Sequence, residues 1–214
     1  MVKRELVKFG KRIAEAGLAT GTCGNISARD GAIVWIKPSG FTLEDMKPAD
    51  LCGMDLATGR QVRGRRKPSS EVNMHLAIYR VRPDVRAVFH THSPWATGVV
   101  SAGIEFKPMF NEFVNDLGRS GAIPYVTPTT QKLADIVGRK AKTLDTIFMA
   151  NHGILAVGAT VMQAFIRCAV VEHAAIALVA ASAVGKPRFL TKAQCAEILS
   201  LDAMKPRAKM AARE

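Results

Sequence analysis

The stretch Arg86-Ala-Val-Phe-His-Thr-His-Ser-Pro94 does most to restrict what this chain can fold into. Ala87-Val88-Phe89 is a short apolar run that reads as a buried strand. Two histidines, His90 and His92, follow it. Along a strand alternate side chains leave the same face, with residues two apart separated by roughly 6.6 Å. Imidazoles so placed can tilt onto one ion at about 2.0 Å per Zn–N contact. They can equally well face solvent or a partner at a strand end, and the pair by itself leaves both readings open.

The remaining pattern surrounds that strand with mixed elements. Val2, Leu6, Phe9, Ile13 and Ala16 mark an amphipathic helix over Val2–Leu18. Strands are expected at Asn25–Ala28 and Ala32–Ile36, joined by the Asp30-Gly31 turn, and again at Leu51–Leu56 and Gln61–Val62. Pro68-Ser-Ser-Glu71 opens a helix that Ser69 or Ser70 can cap and Pro83 ends. A helix over Trp95–Ala102, an extended segment over Phe106–Glu112 and a proline-limited strand over Ile123–Pro128 come next. Thr130–Lys142 reads as a helix. Thr146–Met149 is a second buried strand, turning through Ala150-Asn-His-Gly153 into Ile154–Gly158. Val161–Val184 is a long helix stopped by Gly185-Lys-Pro187, and Thr191–Leu199 is the last. Without regular strand–helix alternation, the expectation is one three-layer α/β/α domain around a central, largely antiparallel β-sheet. It spans residues 1–204, and 205–214 form a basic C-terminal tail.

Composition narrows the function classes. The formal charge of +12 suits nucleic acid, an anionic surface or a phosphorylated substrate. No nucleic-acid recognition motif accompanies it. The four cysteines are widely spaced with no C-x-x-C, which points to a reduced, cytoplasmic compartment. The greasiest segment, Ala164–Val184, is interrupted by Arg167, Glu172 and His173, so no membrane span is expected.

Three histidines, His90, His92 and His152, fall at expected strand ends. Three neutral imidazoles with one open position describe a catalytic zinc site. Glu71, at a helix start, can complete the set or act as a proton-transfer base. His75, one turn on, reads as a packing or surface residue. Thr20–Ser27 and Lys37-Pro-Ser-Gly40 are turns rich in glycine and hydroxyls, of the kind that bind anions. A metal beside an anion cradle suggests proton abstraction next to a carbonyl of a phosphorylated substrate.

The ordered set Gly21-Thr-Cys-Gly-Asn-Ile-Ser27, Lys37-Pro-Ser-Gly40, Pro68-Ser-Ser-Glu71, His90-Thr-His92 and Asn151-His-Gly153 resembles the class II aldolase/adducin family, nearest its fuculose-1-phosphate aldolase branch. The resemblance implies zinc, or another divalent ion such as Mn2+ or Co2+, on His90, His92 and His152, with Glu71 as fourth ligand and then as base. It implies a phosphate grip by Thr22, Gly24, Asn25, Ser39, Gly40, Ser69 and Ser70. It also implies reversible cleavage of a ketose 1-phosphate, through a metal-stabilised enediolate, to dihydroxyacetone phosphate and an aldehyde. Fuculose or ribulose 1-phosphate, or a 5-deoxy or 5-methylthio pentulose 1-phosphate, would fit. A methylthioribulose-1-phosphate dehydratase, a pentulose-phosphate 4-epimerase, a decarboxylase and a non-catalytic adducin-like scaffold share the same fold. A homotetramer with active sites at subunit interfaces is implied as well. One position departs from the branch: Pro128 stands where a tyrosine, donated by a neighbouring subunit, protonates the leaving aldehyde, and Tyr125 lies three residues earlier.

Overall fold

The computed structural model describes residues 1–201, so the expected tail at 205–214 lies outside the described residues. The elements run α1 (Val2–Glu15), β1 (Asn25–Asp30), β2 (Ile33–Ile36), β3 (Cys52–Asp55), β4 (Gln61–Arg63), α2 (Val72–Val81) and β5 (Ala87–Thr91). They continue α3 (Pro94–Ser101), α4 (Asn111–Asp116), β6 (Ser120–Ile123), α5 (Gln131–Ala141), β7 (Thr146–Met149), β8 (Gly153–Gly158), α6 (Val161–Val184) and α7 (Lys192–Ser200). All eight strands form one sheet in the order β4-β3-β2-β1-β5-β8-β7-β6. Neighbours pair antiparallel, except β6, which joins β7 in parallel.

The buried run Ala87–Phe89 lies in β5, held between β1 and β8. Its residues alternate between two cores. Ala87 and Phe89 join Leu6, Phe9 and Ile13 of α1 and Phe165 and Val171 of α6. Val88 joins Leu76 and Tyr79 of α2 and Leu133 and Val137 of α5 on the other face. A strand apolar on both faces needs such cover on both.

By length and composition α6 could cross a bilayer. It is instead a core helix whose charges are used inside the protein. Glu172 accepts hydrogen bonds from the N–H groups of Trp95 and Ala96, at 3.1 and 2.8 Å, and so caps α3. Arg167 donates to the Val157 carbonyl.

Three elements depart from expectation. Helix α2 begins at Val72 with Glu71 at its N-cap and no side-chain cap; Ser69 Oγ instead accepts from the Glu71 N–H, one residue ahead of the helix. The segment expected to be extended up to Glu112 turns helical at Asn111, where Phe113 enters the core and Phe110 stacks edge-on against His173. The last strand before α5 is Ser120–Ile123, ending where Pro124 has no N–H to give the ladder.

Candidate metal centre and active-site cavity

Strand register sets most of the site. Asn25 is the cross-strand partner of His90, so both leave the same face of the sheet. His92 follows just beyond the end of β5. His152 sits in the turn between β7 and β8, where Asn151 adopts a left-handed φ of 54°, a conformation asparagine tolerates better than most residues. Gly153 is required by crowding: a Cβ there would stand 2.5 Å from the Thr91 carbonyl oxygen and 3.3 Å from both the His90 and His92 rings. Glu71 comes from the opposite side, at the mouth of α2.

These four side chains converge, with one ligand atom from each lying within 4.8 Å of all the others. Glu71 Oε2 is 3.3 Å from His90 Nε2, and Oε1 is 3.3 Å from His152 Nε2. His92 Nε2 lies 2.9 Å from His90 Nε2. His90 Nδ1 is 2.8 Å from the Ile154 carbonyl oxygen, which can only accept. The ring proton therefore sits on Nδ1, and the Nε2 lone pair faces the centre. Burial pushes His90 down to about 3 and lowers His92 as well. For Glu71 burial works to raise the pKa, but the His152 and His90 imidazoles and the Asn25 amide hold the carboxyl well below the usual range.

Two buried atoms in this cluster, Glu71 Oε1 and His152 Nδ1, have no hydrogen-bond partner. Ligand atoms about 2.0 Å from a tetrahedral ion stand roughly 3.3 Å apart. The spacing and the orphaned carboxylate oxygen thus fit a divalent ion, and an imidazole-rich set suits zinc.

A cavity of about 310 Å3 opens over this cluster. Thr22, Gly24, Asn25, Ser39, Gly40, Ser69 and Ser70 all line it, together with Glu71, His92 and His152. Gly24, at φ 70°, packs where a Cβ would lie 2.9 Å from the His90 carbonyl oxygen. The N–H groups of Ser39 and Ser69 are taken by the carbonyls of Lys67 and Lys37, and Ser69 Oγ accepts from the Glu71 N–H at 3.3 Å. A larger cavity of about 400 Å3, between the end of α3 and β6, contains none of the four converging residues, so size does not choose the site.

Lys37 was not singled out from the sequence, although it heads a turn that was. Among the described residues it is the one lysine or arginine on the cavity wall. Its buried Nζ donates to the carbonyls of Thr22 and Gly24 at 2.7 and 2.9 Å, and burial lowers its pKa to about 8. Cys23, Pro128 and Thr129 also reach the wall. Thr129 holds φ at 66°, unfavourable for a β-branched residue. Tyr125 is 56% exposed and off the wall. His75 is fully buried, the packing alternative of the two expected for it.

Comparison with known proteins agrees with this geometry. The family model described as Class II Aldolase and Adducin N-terminal domain matches residues 4–179. The chain is 36% identical over 191 residues to a 5-deoxy-D-ribulose 1-phosphate aldolase of Bacillus thuringiensis serovar kurstaki, covering 88% of this chain and 89% of that one. It is 37% identical over 179 residues to a 5-methylthioribulose-1-phosphate/5-deoxyribulose-1-phosphate aldolase of Rhodospirillum rubrum, covering 79% and 76%. A solved structure of an L-fuculose 1-phosphate aldolase superposes with a TM-score of 0.84 at 31% identity, over 92% of this chain and 93% of that one.

Proposed function

The chain belongs to the class II aldolase and adducin family and is a lyase of that type; from this premise we propose that it cleaves a ketose 1-phosphate to dihydroxyacetone phosphate and an aldehyde. The observation that carries the reading is the convergence of Glu71 with three imidazoles beneath a cavity walled by hydroxyls and glycines. His90, His92, His152 and Glu71 would hold zinc, which supplies Lewis-acid polarisation of substrate oxygens. Thr22, Gly24, Asn25, Ser39, Gly40, Ser69 and Ser70 would grip the phosphate, with the N-terminus of α2 adding its partial positive charge.

In the condensing direction Glu71 takes a proton from the carbon beside the carbonyl of dihydroxyacetone phosphate. That carbon attacks the aldehyde, and the proton taken by Glu71 is passed through solvent to the new oxygen. In cleavage the C4 hydroxyl gives up its proton as the C3–C4 bond breaks, and Glu71 relays a proton to C3 and ends ionised again. A carboxylate held well below its usual pKa is ready to accept at neutral pH. Pro128, at the position where the fuculose-type branch carries its tyrosine, lines the wall with Thr129. That favours a 5-deoxy or 5-methylthio pentulose 1-phosphate, the substrates printed in the names of two relatives. We take the domain, residues 1–204, as three-layered, supported by its two cores, and the protein as a cytoplasmic homotetramer.

The test incubates zinc-loaded protein with a panel of ketose 1-phosphates and assays dihydroxyacetone phosphate. Its release supports the reading. Turnover of substrate without that product overturns it in favour of a dehydratase, an epimerase or a decarboxylase.

A further inference from the structure

From Glu71 and Asn25 on the cavity wall, a row of buried polar groups runs into the protein. Glu71, His75 and Tyr79 lie four residues apart along one stripe of α2, and Asn25 and Ser27 lie two apart on β1. Four helical residues rise about 6.0 Å and two strand residues about 6.6 Å, so the two rows can mesh. They do. Asn25 Nδ2 donates to Glu71 Oε2 at 2.9 Å, and His75 Nε2 is 2.5 Å from Asn25 Oδ1. His75 Nδ1 is 2.7 Å from Ser27 Oγ, which lies 2.9 Å from Tyr79 Oη.

The direction of every bond follows from one end. The Glu71 carboxylate only accepts, so the Asn25 amide must present its NH2 there and its oxygen to His75. That oxygen only accepts, so His75 carries its proton on Nε2. Nδ1 is then an acceptor, and the Ser27 hydroxyl must donate to it. Ser27 Oγ in turn accepts from the Tyr79 hydroxyl. No member of the row can reverse unless the others do, and a buried reversal would leave a polar group unpaired.

We propose that His75, supported by Ser27 and Tyr79, is a positioning residue that locks the Asn25 amide and so reserves Glu71 Oε1 as the working oxygen of the carboxylate. Asn25 occupies Oε2. Both oxygens lie 3.3 Å from an imidazole Nε2, Oε2 from His90 and Oε1 from His152, but only Oε1 is buried with no hydrogen-bond partner. His75 is kept neutral for this task, since burial takes it down to about 4. The inference rests on the proposed role of Glu71, but its first test does not require turnover.

Long-range 1H–15N correlation spectra of histidine-labelled protein, with and without zinc, should show His75 as the Nε2–H tautomer in both. The Nδ1–H tautomer or a protonated ring would overturn the proposal, whether or not the protein is an aldolase. His75→Leu, which keeps bulk but removes both ring nitrogens, should lower kcat and zinc affinity by about 10- to 100-fold, with KM changing by less than about threefold. His75→Gln can donate to Asn25 and accept from Ser27, and should restore at least about a third of wild-type kcat. Equal losses in the Leu and Gln variants would mean that His75 merely fills space. Should His75→Leu not fold, Ser27→Ala carries the same expectation, with retention of full kcat the contrary result. Failure of the wild type to release dihydroxyacetone phosphate would sink the aldolase reading alone, because the tautomer and zinc-affinity results would still stand.

Discussion

The buried charges around Asp145 and those around Glu71 are built on different plans. Around Asp145 both carboxylate oxygens are taken: Oδ1 by Arg82 at 2.9 Å, and Oδ2 by the Arg119 N–H at 3.1 Å, with Arg167 at 3.8 Å. Arg82 spends its other donors on Asp84 and on the Ala141 and Leu144 carbonyls. Around Glu71 the lone pairs point inward and an oxygen and a ring nitrogen are left over. Only Arg167 Nε is left over in the Asp145 cluster, and no carboxylate oxygen is; a carboxylate saturated by its cations holds a fold together. Charges that leave convergent atoms unsatisfied hold room for something else.

The contrast predicts opposite consequences for removing each carboxylate. Glu71→Gln should cost about 10²- to 10⁴-fold in turnover while the melting temperature stays close to wild type, by steady-state kinetics and calorimetry. Unimpaired catalysis would take Glu71 out of the role of base. Asp145→Ala should do the reverse: a loss of about 3–5 kcal/mol in denaturant unfolding, because Arg82 and Arg167 lose a buried partner, with turnover per folded molecule little changed. His152→Ala should lower zinc affinity by more than the ~10- to 100-fold typical of outer residues, read by chelator competition. Full retention would place the third ligand elsewhere.

The smallest effect concerns acid. Burial alone would raise the Asp145 pKa, but its hydrogen bond from Arg82 and the nearby Arg167 charge bring it below the ordinary value. A depressed carboxylate adds stability above its unfolded pKa of about 3.9, and that stability is lost as pH falls through the folded value. Between about pH 5 and 3 the melting temperature of wild type should therefore drop more steeply than that of Asp145→Asn.

The active cluster was legible in the sequence and the structural one was not. His90, His92, Glu71 and the Asn151-His-Gly153 turn each carry a local signature, a strand end or a helix start, and the fold only had to bring those ends together. Asp145, Arg82 and Arg167 share no local pattern, and nothing in their neighbourhoods announces a partner. His75 shows the same limit inside the site. Its identity could be read, but its task depends on the register of α2 against β1, which no single segment encodes. Phe110 and Phe113 explain the missed helix α4, since their core contacts with α6 outweigh the apparent extended pattern.

The central position of β5 also bears on kinetics. It pairs with β1, some sixty residues earlier, and with β8, some sixty later, so its neighbours can only join it through long loop closures. The full ligand set, with His152 beside His90 and His92, is complete only once β8 has paired with β5. A bound ion would thus be recognised late in folding, after most of the barrier has been crossed. It would act as a brake on unfolding and leave the refolding rate nearly unchanged.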